Sequence, residues 1–178
     1  AGGTFVSGGS AANLAALTVA RDIGRQRVHG GKRLPVRIAL SQQAHSSIGN
    51  SLGILDIEPF IVETSGYAMT KADLDRALST IKSDEAPVVG VVATAGTTNA
   101  GIIDDLAGIS DTAREHGMWF HVDAAYGGAA LLAPSVRDQF IGIENADSLI
   151  WDAHKMLMMP ALITAVLFKS KKHSNESF

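Results

Sequence analysis

The run Val88-Val89-Gly90-Val91-Val92-Ala93-Thr94-Ala95 holds one polar side chain in eight positions. A strand with one face in water alternates apolar and polar residues; a run this continuous reads as a strand covered on both sides. Covering both sides takes helices above and below, and the rest of the chain supplies helix and strand signals in alternation. A helix is expected over Asn13–Val28, with Leu14, Leu17 and Ala20 on one face. Val36–Leu40 reads as a strand, His45–Leu55 as a helix and Pro59–Glu63 as a strand. Thr70 with Asp73 resembles a capping box ahead of Leu74, Ala77, Leu78 and Ile81. Asp104 or Asp105 can cap a helix through Leu106, Ile109 and Ala113 that Gly117 stops. Met118–Val122, Ser148–Trp151 and Ile163–Phe168 read as further strands. The fold class is therefore α/β, a mostly parallel sheet with helices on both faces. In such sheets ligands bind beyond the carboxyl ends of the strands.

Composition narrows the function. The 178 residues suffice for one domain, and 46% are apolar against 19% charged, a globular balance. A net charge of −3 argues against a nucleic-acid partner. The chain has no cysteine, which excludes disulfides, thiolate metal sites and cysteine nucleophiles and is compatible with a cytoplasmic setting. No apolar run reaches the ~18 residues of a membrane span, so no membrane partner is expected, and the opening residues do not read as a signal peptide. The opening AGGTFVSGG has the character of a loop and strand end, and the closing FKSKKHSNESF is polar without a stop signal. Residues 1–178 are thus expected to be an internal piece, cut at both ends, of a larger enzyme.

Four segments fall at the strand ends. Ser7-Gly-Gly-Ser-Ala-Ala-Asn13 opens a helix, where free N–H groups and the helix dipole favour a phosphate, although such a turn is often only a turn. His121-Val-Asp-Ala-Ala-Tyr-Gly-Gly128 ends a strand; Asp123 can cap the turn, or hold a pyridine nitrogen protonated. Ala124 and Ala125 would leave room for a flat ring. In Ser148-Leu-Ile-Trp-Asp-Ala-His-Lys-Met-Leu-Met-Met-Pro160, Lys155 sits after a strand in an apolar setting. It can snorkel to solvent or form a Schiff base. Met156–Met159 reads as core packing. His45 follows the Val36–Leu40 strand and can start a helix or stack on a planar ring.

In this order, GTFVSGGSAANLAAL, AHSS, ATAGTTNAGIIDDL, HVDAAYGGA and ADSLIWDAHKM resemble the group II pyridoxal-5′-phosphate (PLP) dependent amino-acid decarboxylases. That family includes the glutamate, cysteine-sulfinate, diaminobutyrate and aromatic amino-acid enzymes. The resemblance covers nearly the whole chain. It implies the PLP-binding large domain of fold type I, aspartate aminotransferase-like, and a homodimer with active sites near the interface. It further implies a lyase that releases CO₂ and an amine from an L-amino acid through a Lys155 Schiff base, with Lys155, Asp123 and His45 catalytic. His154 would precede the lysine, and Asp123 would pair with the pyridinium nitrogen. Ala125 and His45 would lie on opposite ring faces, Ser10 and Ala11 would bind the phosphate, and Thr98 would lie near the cofactor. Asp104 holds the family's acidic position after the AGTTNAG segment. Many members have Asn-Pro-His-Lys at the lysine, where the Asn contacts the phosphate. Here Asp152 stands in its place, and a carboxylate beside a phosphate is repulsive unless it is protonated or turned to another donor. Many members also have a lysine soon after the stacking histidine, where this chain has Ser46-Ser47-Ile48.

Two rivals remain at this stage: another fold type I PLP enzyme (aminotransferase, desulfurase or aldolase), and a non-catalytic truncated paralogue serving dimerisation or binding. The family's mobile-loop tyrosine and its small domain fall outside these residues. The resemblance alone leans towards a small or acidic substrate. No metal is expected, since the six histidines form no pair with ligand spacing.

Overall fold

A computed structural model describes residues 1–172; the end of the polar FKSKKHSNESF run lies outside the described residues. The described residues form seven strands and four α-helices: β1 Gly2–Val6, α1 Gly9–His29, β2 Arg37–Ser41, α2 Ser46–Ile54, β3 Glu58–Val62, α3 Lys71–Leu78, β4 Val88–Thr94, α4 Leu106–Glu115, β5 Trp119–Asp123, β6 Ser148–Asp152 and β7 Thr164–Phe168. They make one sheet in the order β1-β7-β6-β5-β4-β2-β3. Neighbours from β6 through β5, β4 and β2 to β3 are parallel, while β7 runs antiparallel to both β6 and β1. The expected mostly parallel α/β sheet is therefore present.

The β4 run is covered on both sides. Ile38, Leu40, Val92, Trp119 and Ile150 pack under α1 and α2. Ala39, Val91, Ala93, Phe120 and Val122 pack against Leu74 of α3 and Leu106 and Ile109 of α4. Alternation along each strand sorts side chains between these layers, so Trp119 and His121 point towards α1 and Phe120 and Val122 away from it. Every second residue at the ends of β4, β5 and β6 then faces the α1 layer.

Local signals decide the helix ends. Thr70 and Asp73 form the capping box of α3. Asp105 caps α4 through the Gly108 N–H at 2.9 Å, and Gly117, at φ +63°, follows its end. Asp104 is instead buried, accepting the Met69 and Thr94 N–H groups at 2.7 Å each. Burial raises its carboxyl to about 6.

Four expectations need correction. Helix α1 begins at Gly9 rather than Asn13, because the glycine-rich turn itself forms the first turn. Helix α3 stops at Leu78, short of Ile81; the Ser79 and Thr80 hydroxyls bond back to the Arg76 and Ala77 carbonyls at 2.7 and 2.8 Å and compete with further turns. Ala124 packs in the layer opposite Ala125, so of the two only Ala125 faces the α1 side. Met156–Met159 is not core: Met158 is 87% exposed and its neighbours are partly exposed, because the chain loops away after Lys155 before returning as β7.

Helix α1 lies close on β4. A Cβ at Gly24 would come 2.6 Å from the Val89 side chain. Alanine there gains about 0.5–1 kcal/mol of helix propensity but overpacks a buried contact at about 1–3 kcal/mol. Gly24→Ala should therefore lower stability in urea unfolding. Gly49→Ala in α2, where a Cβ meets nothing within 4 Å, should leave it unchanged or raise it.

Candidate active site

The carboxyl ends of β4, β5 and β6 open into a cleft of about 230 Å³ beside the start of α1. Thr94, Asp123 and Asp152 close these strands and line it, together with Ser10, His45, Thr98, Ala125, His154 and Lys155. The structure thus brings together every site residue expected from the sequence except Ala11, which is exposed in the first turn of α1 and leaves only its backbone to take part.

The start of α1 forms one wall. Gly8, at φ +103°, caps the helix with no side-chain hydrogen bond, and the first turn carries no acidic residue. Its free N–H groups and the positive end of the dipole are left for an anion. A Cβ at Gly9 would lie 3.3 Å from Asp152 Oδ2 and 3.7 Å from the Ala125 Cβ, so glycine lets backbone, carboxylate and alanine approach here.

Asp123 forms the floor and is 5% exposed. Its Oδ1 accepts the Ala125 N–H at 3.1 Å, and its Oδ2 accepts Asn13 Nδ2 at 3.0 Å. No ion pair reaches it among the described residues. Next to it His121 lies buried between Asn13 Oδ1, 3.0 Å from Nε2, and Ser148 Oγ, 2.8 Å from Nδ1. Burial pushes the ring down to about 4, against the pull of the Asp123 charge, so His121 is neutral near pH 7.

Lys155 sits on the turn after β6 with its side chain 37% exposed, not in the apolar setting expected. Its Nζ is 2.9 Å from Asp152 Oδ2, without hydrogen-bond angles. Asp152 is 1% exposed; its Oδ1 takes the Thr164 hydroxyl from the paired strand, and His154 Nε2 lies 3.7 Å from Oδ2. Asp152 is therefore turned to other donors, the condition under which its charge is tolerable near an anion site. His154 donates from Nδ1 to the Ile163 carbonyl at 3.1 Å. On the far wall His45 caps α2, with Nδ1 accepting the Ser47 N–H at 3.2 Å.

Asn13 and Ser47 were not singled out from the sequence. Their signal was a polar side chain on a helix face otherwise made of alanine and leucine, such as Asn13 beside Ala16, Leu17 and Ala20.

The donor set fits PLP: an uncapped helix start for a phosphate, a buried carboxylate for a pyridine nitrogen, and an amine for a carbonyl carbon, all on one cleft.

His121 gives a pH test. The unfolded ring binds a proton below about 6.5 and the folded ring does not until about 4. Across that window the unfolded chain holds more protons, so this group lowers stability as pH falls, by up to about 3 kcal/mol. Asp104, raised to about 6, acts in the opposite sense. The difference in unfolding free energy between the native chain and His121→Gln isolates the histidine: it should shift against the native chain from pH 7 to pH 4. Parallel curves would contradict the neutral, buried ring.

Known proteins resemble this chain along its whole length. A family profile described as "Pyridoxal-dependent decarboxylase conserved domain" matches residues 1–178. The acidic amino acid decarboxylase GADL1 of Mus musculus is 36% identical over 178 residues, covering 95% of this chain and 32% of that protein. The aromatic-L-amino-acid decarboxylase of Bacillus atrophaeus is 32% identical over 180 residues, 99% of this chain and 37% of the relative. The crystal structure of Oryza sativa TDC with PLP and tryptamine superposes with a TM-score of 0.89 at 27% identity, covering 99% of this chain and 38% of that one. The chain spans about a third of the length of the curated relatives it matches. With its whole length matched, the chain belongs to the pyridoxal-dependent decarboxylase family and carries the fold type I α/β architecture.

Proposed function

We propose that this chain is the cofactor-binding core of a larger enzyme that decarboxylates an L-amino acid with PLP. The observation that carries the reading is the convergence on one cleft of the Lys155 amine, the Asp123 carboxylate and the uncapped start of α1. PLP, when bound, supplies an electron sink for the pair left by a departing carboxylate.

The chain's own residues divide the remaining work. The first-turn N–H groups at Ser10 and Ala11 would hold the phosphate. Asp123, held from two sides by N–H donors, would keep a proton on the ring nitrogen. Ala125 and His45 would flank the ring, and Thr98 would lie at the rim. Lys155 would attach the cofactor, with Asp152 2.9 Å from its amine. A small or acidic substrate is favoured, in keeping with the likeness to the acidic amino acid decarboxylase.

We further propose action as a homodimer in the cytoplasm. The exposed Met156, Leu157, Met158, Met159 and Leu162 beside the cleft offer apolar surface for a second copy, and a cysteine-free composition accords with that compartment.

Incubation with PLP, borohydride reduction and mass spectrometry tests the assignment. A pyridoxyl group on Lys155, absent from Lys155→Ala, is expected. Label on another lysine, or none in a chain shown to be folded, would overturn it. In the active enzyme Asp123→Ala should lower CO₂ release by about 10²–10³-fold, the scale for losing one preorganised charge; undiminished release would remove Asp123 from the chemistry.

A further inference from the structure

We propose that Asn13 is a positioning residue that separates Asp123 from His121 and fixes the hydrogen-bonding direction of both histidines around the cleft. The consequence for a cofactor rests on the reading of Asp123 and His45 given above; the hydrogen-bond chain does not.

Asn13 is 1% exposed on the cleft side of α1. Its amide orientation is forced. The carboxylate Asp123 Oδ2, 3.0 Å away, only accepts, so Nδ2 must face it; the same nitrogen lies 3.0 Å from Ser47 Oγ. Oδ1 then faces His121 Nε2 at 3.0 Å, and since it only accepts, His121 carries its proton on Nε2. The bare His121 Nδ1 takes the Ser148 hydroxyl proton at 2.8 Å, and Ser148 Oγ in turn accepts Trp119 Nε1–H at 2.8 Å. On the other arm Ser47 Oγ is occupied by the Asn13 donor. Its hydroxyl proton is therefore free for His45 Nδ1, 2.8 Å away, which also accepts the Ser47 N–H. A neutral His45 thus carries its proton on Nε2. Every donor from the Trp119 Nε1–H to the Ser47 hydroxyl meets an acceptor.

The insertion of an amide has a chemical effect. A histidine in direct contact with a carboxylate gains a partner for its charged form. Here Asn13 stands between the two, and an amide does not relay a proton. His121 stays neutral, and Asp123 has no buried cation beside it among the described residues. Its spare lone pairs are left for a cation entering from the cleft, and a protonated ring nitrogen is such a cation. The charged and titratable groups around Asp123 are His121 on its own strand, Tyr126 from the turn after it, His45 from the cap of α2, and Asp152, His154 and Lys155 from β6 and its turn; α1 contributes the neutral Asn13 and Ser10.

Histidine-selective ¹⁵N NMR on the cofactor-free chain reads each ring directly. The native chain should show His121 as the Nε2–H tautomer with no titration from pH 5 to 8, and neutral His45 as Nε2–H. Asn13→Asp keeps the shape and the acceptor towards His121 but replaces the donor to Asp123 with a second carboxyl oxygen; the two acids then share a proton, and the negative charge added against His121 should bring its titration to between about pH 5 and 8. Ser47→Ala should alter the His45 signals and leave those of His121 as in the native chain. The proposal is overturned by a native Nδ1–H tautomer in either ring, by an Asn13→Asp chain whose His121 does not titrate, or by Ser47→Ala disturbing His121. If Asn13→Asp fails to fold, the native tautomers and Ser47→Ala still decide. Trapping of PLP on Lys155 is a separate measurement, so loss of the network and loss of the cofactor assignment are told apart.

Discussion

The buried carboxylate of Asp123 sets the terms for the rest of the cleft. A charge at 5% exposure is costly unless donors surround it. The fold provides two: the Ala125 N–H from the turn that leaves β5, and the Asn13 amide from α1. Meeting that need fixes where α1 lies on the sheet. The Asn13 amide must reach the end of β5, and this places the glycine-rich start of the helix over β6 and the cleft. The same register carries Trp119, His121 and Asp123 on one face of β5, so the hydrogen-bonded row beneath the cleft follows from strand alternation.

A second carboxylate balances the first. Asp152 ends β6 one strand away, held by the Thr164 hydroxyl on one oxygen and by Lys155 on the other side. The antiparallel return of β7 matters here, because it brings Thr164 opposite Asp152. The cleft thus has one carboxylate with no cation beside it and one already paired with the amine. That asymmetry gives the two acids different parts to play, although both are buried at adjacent strand ends.

Much of this was legible in the residues. The Val88–Ala95 run required cover on both sides, and α1 with α2 and α3 with α4 provide it. The glycine-rich turn, Asp123 and Lys155 stood at strand ends, where a parallel sheet binds ligands. What stayed hidden depended on partners distant in sequence. Asn13 and Asp123 are 110 residues apart, and nothing near either residue announces the contact. Periodicity misplaced Met156–Met159, because an apolar run looks the same whether it fills a core or lies exposed on a loop. The first turn of α1 was legible as a helix start in Ser7–Asn13, but its glycine, serine and alanines carry no apolar stripe to mark the boundary at Gly9.

A crystal structure of the chain with PLP would locate each part of the cofactor. Density should run continuously from Lys155 Nζ to the cofactor. The phosphate should lie on the first-turn N–H groups of α1, the ring between His45 and Ala125, and the pyridine nitrogen within hydrogen-bonding distance of Asp123. A phosphate bound away from α1, or a ring that leaves Asp123 without a partner from the cleft, would contradict it.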